Sequence, residues 1–264
     1  MSPTRKELPT GAIPWATDED DPWLGSRRIV QVRPQIWRWL APFVGSLPAL
    51  EIGPGVRPTL PPATSHFLDR SGHALGLLAA EGGSVAQAGT HLPFEDDRFA
   101  AVLAFEVIEH VEADDELLAE MARVLRPGGR LVLSVPIRAS MWTTLDDVCH
   151  HVRRYEPEEL FAKLEGLGLE VGGYDWHAGT LPLVYRIRAW ILVRQRRLVN
   201  RIGETLAFPL VAAWQRRFAT LRWISPRVPV PAEAEHLMLW AQTVAEGPAS
   251  AARTASNDAT ATST

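Results

Sequence analysis

The sequence predicts an α/β fold in which a mostly parallel sheet is covered by helices on both faces. Residues 99–105 form an unbroken apolar run, which is typical of a strand buried on both sides. Apolar residues then recur at helical spacing over 114–125, until Pro-Gly-Gly at 127–129 ends the helix, and 131–135 form a second apolar strand. Such a strand–helix–strand unit is right-handed, and ligands bind beyond the carboxyl ends of its strands.

Size and composition favour one domain with additions. The chain has 264 residues, of which 46% are hydrophobic, and its net charge is −4. A single cysteine, Cys149, excludes an internal disulfide and suits a reducing compartment. There is no leader-like start and no apolar run of about 20 residues, so we expect a cytoplasmic protein. The negative net charge argues against a general nucleic-acid binder.

Two linked segments identify a family resemblance. LPFEDDRFAAVLAFEVIEHV at 92–111 and ARVLRPGGRLVLSVP at 122–136 resemble class I S-adenosylmethionine-dependent methyltransferases of the small-molecule type, which includes the quinone-biosynthesis methyltransferases. The resemblance covers roughly residues 48–171. It implies a Rossmann-like seven-stranded sheet whose last strand, at 236–244, is antiparallel. It also implies S-adenosylmethionine as cofactor and a small molecule as methyl acceptor.

The stretch 49–55 is predicted to be the first strand and a glycine turn. Glycines at 53 and 55 present no Cβ, so the backbone there can approach a ligand closely. By resemblance, Glu51, Gly53, Pro54 and Gly55 belong to the cofactor site. Arg57 replaces the third glycine of the family pattern, and prolines at 58, 61 and 62 predict that the following helix is shortened or missing.

The next acidic position is predicted to bind the cofactor's ribose. Asp69 ends a predicted second strand, and by resemblance its carboxylate accepts hydrogen bonds from both ribose hydroxyls. Relatives commonly have an aspartate for the adenine amino group where this chain has Ala88. We therefore expect adenine recognition to depend on backbone groups around Gly89 and Thr90, or on packing against Leu92.

Acidic and basic residues follow the buried strand. By resemblance, Glu106 adjoins the methionine moiety of the cofactor and the methyl group that is transferred. Glu109 and His110 form the family's Glu-His pair. A structural role, in which they cap a helix or brace the loop, is at least as consistent with them as catalysis, so they are predicted to line the site.

A long loop over 137–154 is predicted to cover the carboxyl edge of the sheet. It ends in His150, His151 and Tyr155, a pattern that again resembles the family. An imidazole here could take a proton from the acceptor, so His151 is the first candidate base and His150 the second. The alternative is that His151 and Tyr155 only hold the loop to the domain. No metal site is expected, because no third ligand stands at metal spacing from the two histidines.

The charge is distributed very unevenly. Residues 181–230 contain ten Arg and one Glu, a charge of +9, which leaves −13 for the rest. We expect a basic amphipathic helical insertion here, which either packs on the sheet as a cap or contacts an anionic membrane, a lipid-like substrate or an acidic partner. Residues 1–28 and 246–264 are expected to be disordered, which leaves 29–245 as the methyltransferase domain.

The predicted function is methyl transfer from S-adenosylmethionine to a small, hydrophobic or lipid-like acceptor. Two rivals stay open. One is a non-catalytic scaffold, or a membrane-associated binding protein, with a degenerate cofactor site, which would account for Arg57 and Ala88 together. The other is a nicotinamide-dependent oxidoreductase, which shares the glycine turn but does not account for the Glu-His pair or Arg-Pro-Gly-Gly. The sequence does not indicate an oligomeric state.

Overall fold

The computed structural model describes residue 23 and residues 26–87, 89–177, 209–210, 213 and 221–244. Its helices are α1 (Pro34–Val44), α2 (Gly72–Ala80), α3 (Asp114–Val124), α4 (Thr144–Cys149) and α5 (Pro157–Gly166). Its strands are β1 (Ala49–Ile52), β2 (His66–Leu68), β3 (Ser84–Ala86), β4 (Phe99–Phe105), β5 (Leu125–Pro136), β6 (Leu169–His177) and β7 (His236–Thr243). Among the described residues these elements form one layered α/β domain.

The seven strands form one sheet in the order β3-β2-β1-β4-β5-β7-β6. The pairs formed among β1 to β5 are all parallel, whereas β7 runs antiparallel to both β5 and β6. The Rossmann-like, mostly parallel sheet with an antiparallel last strand is therefore confirmed. The strand order reverses between β1 and β4, and the crevice at that switch point is where open α/β sheets bind ligands.

Helices cover both faces of the sheet, as predicted. On one face Ile36 and Leu40 of α1 and Leu78 of α2 pack with the sheet residues Phe67 and Leu103. The other face packs against α3 and α5, through the fully buried Leu117, Leu118, Met121, Leu160 and Leu164. Every residue of β4 is buried, which explains its unbroken apolar sequence.

The connection from β1 to β2 lacks the helix that the family pattern has after the glycine turn. Between these strands the chain contains only a 3-10 turn, Pro62–Thr64. Prolines remove backbone donors and oppose helix formation, so the shortened connection follows from the sequence. The prediction was a helix shortened or missing after the glycine turn, and the structure shows no α-helix there.

Other details differ from the sequence prediction. The 137–154 stretch is not a simple loop, since it contains a 3-10 turn (Ala139–Met141) and α4. The helix α4 begins with a capping box in which Thr143 and Asp146 bind each other's backbone amides. In addition, β5 starts at Leu125, before the glycines, with a shift in its pairing to β4 between Phe99 and Ala101.

Several expectations fall outside the described residues. These are residues 1–22 and 24–25 of the expected N-terminal arm (1–28), the tail at 246–264, and most of the basic insertion at 181–230, of which only 209–210, 213 and 221–230 are described. The proposed boundaries of the domain stay a prediction for that reason. Within the part of the chain that the structure describes, no helix combines the length and apolar character that crossing a bilayer requires.

Candidate active site

The glycine turn after β1 is stabilised by Glu51, which is 1% exposed. The carboxylate accepts hydrogen bonds from the backbone N–H groups of Thr59 and Leu60, at 2.8–2.9 Å. Burial raises the pKa of Glu51 to about 7, although those amides and the charge of Arg33 act in the opposite direction. Glu51 thus orders the segment that replaces the missing helix. Contact with the cofactor stays a prediction.

The backbone at both glycines of the turn adopts a left-handed conformation. Gly53 has φ +64° and its N–H donates to the carbonyl of Leu68, whereas Gly55 has φ +55°. A Cβ added at Gly55 would lie 2.2 Å from the indole of Trp23, and one at Gly53 would lie 2.6 Å from Val107. A side chain at either position would therefore be strained and would clash. Trp23 covers the turn, beneath the guanidinium of Arg57 at 5.0 Å.

Asp69 lies directly after β2, at the carboxyl edge, and is 6% exposed. Its Oδ2 accepts from the N–H of Gly55 and its Oδ1 from that of Ser71, both at 2.8 Å. The structure therefore links Asp69 to the glycine turn, in the position expected for the ribose-binding acid. Hydrogen bonds to the ribose hydroxyls stay a prediction.

The adenine side of the site is described only in part. Ala88 lies outside the described residues. Gly89 is exposed, with nothing within 4 Å of the position of a Cβ, and Thr90 is half-buried. The side chain of Leu92 is fully buried, and its N–H donates to Glu120 at 2.9 Å. The adenine roles of Ala88, Gly89 and Thr90 stay predictions.

Glu106 follows β4 at the switch point, with a left-handed φ of +55° that is unusual for a residue with a side chain. Its Oε1 accepts from the hydroxyl of Ser134 at 2.7 Å, and its Oε2 lies 3.3 Å from Nδ1 of His236. Burial alone would raise the pKa of Glu106, but His236, then Ser134 and Arg33, lower it to about 2. This acid is therefore ionised at neutral pH.

A second group of titratable side chains adjoins Glu106. The Nε2 atoms of His110 and His151 each lie 4.0 Å from Oε1 of Glu109, and the two rings meet edge to face at 4.7 Å. Burial, and then the neighbouring His151, lower the pKa of His110 to about 4. Burial also lowers the pKa of His151, against the influence of Asp146. Both imidazoles are therefore neutral at pH 7.

His151 is oriented by a buried carboxylate. Its Nδ1 lies 2.9 Å from Oδ1 of Asp146, which also accepts two hydrogen bonds from Arg154 at 2.9 Å. Burial would raise the pKa of Asp146, but Arg154, Thr143 and His151 hold it well below its usual value. An ionised partner fixes the orientation of an imidazole, as a positioned base requires.

The other two loop candidates lie apart from these groups. The side chain of Tyr155 is buried, and its hydroxyl lies 3.0 Å from Oδ2 of Asp114 and 3.1 Å from the carbonyl of Ile108. Tyr155 therefore braces the loop, one of the two roles that the sequence left open. His150 is exposed and ends α4 in a left-handed conformation, φ +58°.

Sequence reasoning missed three residues. Asp146 could have been found from the Thr-x-x-Asp capping pattern that precedes the histidines. His236 starts the last strand, and the predicted antiparallel direction places that start at the carboxyl edge. Arg33 precedes α1 and lies close enough to Glu51 and Glu106 to affect the pKa of each. No sequence signal indicated Arg33.

Comparisons with known proteins agree with this geometry. Residues 51–133 match a family model described as "Methyltransferase domain". Methyltransferase GfsG of Streptomyces halstedii is 48% identical over 59 residues, which make up 22% of this chain and 20% of that relative. These matches support a class I S-adenosylmethionine-dependent methyltransferase domain, and the chain spans only 20–32% of the length of the curated relatives that it matches.

Solved structures show the same fold at low sequence identity. A geranyl diphosphate methyltransferase in complex with geranyl diphosphate and sinefungin has a TM-score of 0.51 and 14% identity; the match covers 78% of this chain and 77% of that one. The [4+2]-cyclase SpnF has a TM-score of 0.52 and 19% identity, covering 81% and 82%. One fold thus carries different chemistries, so the reaction must be argued from the site.

The residues at the switch point fit the methyltransferase cofactor. The carboxylate of Asp69 is the kind of acceptor that ribose hydroxyls bind, and the ionised Glu106 suits a positively charged amino group or sulfonium. Arg33 offers a complementary charge for the carboxylate of the methionine moiety. The glycine turn permits close approach, although Trp23 contacts Gly55 on one side.

Proposed function

We propose that the protein transfers a methyl group from S-adenosylmethionine to a small-molecule acceptor. The observation that carries this proposal is that Asp69 accepts a hydrogen bond from the glycine turn, while the ionised Glu106 follows β4, the strand next to β1 at the reversal of strand order. When bound, the cofactor supplies a methyl carbon that forms a bond to the acceptor's nucleophilic atom while its bond to sulfur breaks, with the electron pair staying on sulfur. The protein's contribution is mainly to hold acceptor and methyl in line.

We further propose that His151 is the first candidate for the group that receives the acceptor's proton. Its Nδ1 is held by Asp146, which leaves Nε2 directed towards Glu109 at 4.0 Å. His150, the second candidate, ends α4 and is exposed. The comparison of His151→Asn with His150→Asn is therefore a matched test. Turnover should fall strongly in the first variant and change little in the second.

The acceptor that we propose is hydrophobic or lipid-like. Residues 181–230 combine a charge of +9 with tryptophans at 190, 214 and 223, a composition that suits contact with an anionic lipid surface. We therefore expect anionic vesicles to sediment the protein at low salt. Charge reversal at Arg194, Arg197 and Arg201 should release it, and absence of binding at low salt would contradict the membrane proposal.

The decisive experiment for the activity is formation of S-adenosylhomocysteine that depends on an added acceptor. We would offer hydroxyl or enol compounds in pairs, with the same nucleophile on an apolar or a polar framework, and measure the product by mass spectrometry. We expect a higher kcat/KM for the apolar member of a pair. Cofactor binding without turnover on any acceptor would favour the scaffold alternative.

A further inference from the structure

Glu109, His110 and His151 converge at the carboxyl edge of the sheet. Glu109 and His110 lie on the 3-10 turn Ile108–His110 after β4, and His151 follows α4. One potential ligand atom from each of the three lies within 4.8 Å of those of the other two. The sequence predicted no metal site because a third ligand near the adjacent histidines was lacking. The fold brings Glu109 and His110 to His151 from 42 and 41 positions earlier in the chain, and His150 is not one of the three.

The carboxyl group of Glu109 is buried and lacks hydrogen-bond partners among the described residues. Its side chain is 0% exposed, and among the described residues neither Oε1 nor Oε2 has a hydrogen-bond partner. Burial of a carboxylate without compensating partners is costly. The acids Glu106 and Asp146 add negative charge nearby. A cation at this point would give the buried carboxylate an electrostatic partner.

The imidazole of His151 is anchored from behind. Asp146 holds Nδ1 of His151 at 2.9 Å. Histidines that bind metals almost always donate their other ring N–H to a carboxylate or a carbonyl, which fixes the tautomer. Asp146 is a partner of this kind for His151. The hydrogen bond to Asp146 leaves Nε2 of His151 facing Glu109.

We propose that Glu109, His110 and His151 bind a divalent transition-metal cation. Two imidazoles and one carboxylate suit Zn²⁺, Mn²⁺, Fe²⁺ or Co²⁺ better than Mg²⁺ or Ca²⁺, which prefer oxygen ligands. Ligands at ~2.1 Å in a tetrahedral site lie ~3.4 Å apart, so the 4.0 Å separations need to close by roughly half an ångström. Three protein ligands leave a coordination position open.

The open position gives the cation a role in activating the methyl acceptor. This role rests on the proposed methyl transfer. An acceptor hydroxyl bound there would release its proton to solvent more readily, and its oxygen would then be the nucleophile. In that arrangement Nε2 of His151 is a ligand and no longer available as a base. The acceptor would therefore be an oxygen compound rather than an amine. Cation binding itself does not depend on methyl transfer.

The test uses the full-length protein after treatment with a chelator and dialysis. Calorimetric titrations with Zn²⁺, Mn²⁺ and Mg²⁺ measure affinity and stoichiometry, and the visible absorption of added Co²⁺ reports its ligands. The variants Glu109→Gln and His151→Asn remove ligands. Their matched controls are Glu116→Gln, on the exposed surface of α3, and His91→Asn, whose side chain is 84% exposed.

We expect one Zn²⁺ or Mn²⁺ per chain, weaker binding of Mg²⁺, and affinities in the two ligand variants that fall by at least about tenfold. The controls should bind as the unmodified protein does. Glu109→Gln removes a buried carboxyl without hydrogen-bond partners, so it should fold, which circular dichroism checks. Absence of one-to-one binding, or equal binding by Glu109→Gln and Glu116→Gln, would overturn the proposal. Titration of S-adenosylhomocysteine into the metal-free samples tests the proposed function separately.

Discussion

Replacement of Asp146 by asparagine should destabilise the protein strongly. The carboxylate of Asp146 is 2% exposed and receives hydrogen bonds from Nε and Nη2 of Arg154, from His151, and from the N–H and hydroxyl of Thr143. The asparagine side chain has the same shape, but one of its two ends is a donor. At least one donor of Arg154 or Thr143 must then face another donor.

The magnitude follows from the burial of the ion pair. The side chain of Arg154 is only 3% exposed, so its charge would lose its main partner without gaining access to water. Removal of one member of a buried ion pair costs about 3–5 kcal/mol. The carbonyl of Ile137 still accepts from Nη1 of Arg154 at 3.2 Å, so we expect a loss near the lower end, about 3 kcal/mol.

Urea denaturation provides the assay, with the slope of the transition checked for constancy. The control is Asp147→Asn, the next residue on α4, which is exposed and accepts one hydrogen bond from Trp142 at 2.8 Å. The control should lose less than about 1 kcal/mol, because exposed polar contacts contribute little. Equal losses in the two variants would refute the view that Asp146 organises this loop.

Three further predictions concern the glycine turn and its acids. Gly55→Ala should lower the free energy of unfolding by at least about 1–2 kcal/mol, because φ is +55° and the indole of Trp23 lies 2.2 Å from the new Cβ. The control is Gly76→Ala, at an open helical position, which should instead stabilise the protein. Glu51 has a folded-state pKa of about 7 against an ordinary 4.5, so its contribution to the free energy of unfolding is full below pH 4.5 and is lost as the pH rises through 7. Urea titrations should show the free energy of unfolding fall by about 3 kcal/mol over this range, and Glu51→Gln should not show this fall. Asp69→Asn should weaken binding of S-adenosylhomocysteine by about tenfold in calorimetry, and an unchanged affinity would exclude the ribose role.

The sheet was predictable because its signals are local. The apolar run gave β4 with its observed bounds, and the prolines after the glycine turn indicated that no helix follows β1. The capping pattern of α4 was also local, but it is short and was hidden in a stretch interpreted as a loop. Local sequence therefore accounts for most of the strands and helices.

The site was predictable only where a residue directly follows a strand. Asp69 and Glu106 do so, and both lie at the carboxyl edge. Glu109 and His151 lie 42 positions apart in the chain, on two different loops. Glu106 follows β4, whereas its partner His236 begins the last strand. Such contacts depend on sheet order and register, which pattern reasoning does not resolve side chain by side chain.

The central claim is that the switch point binds S-adenosylmethionine, and calorimetric titration of the purified protein tests it most directly. S-adenosylmethionine and S-adenosylhomocysteine should each bind with a stoichiometry of one per chain, whereas NAD should give no heat beyond dilution. Failure of both methyltransferase ligands to bind, or binding of NAD in their place, would contradict the claim.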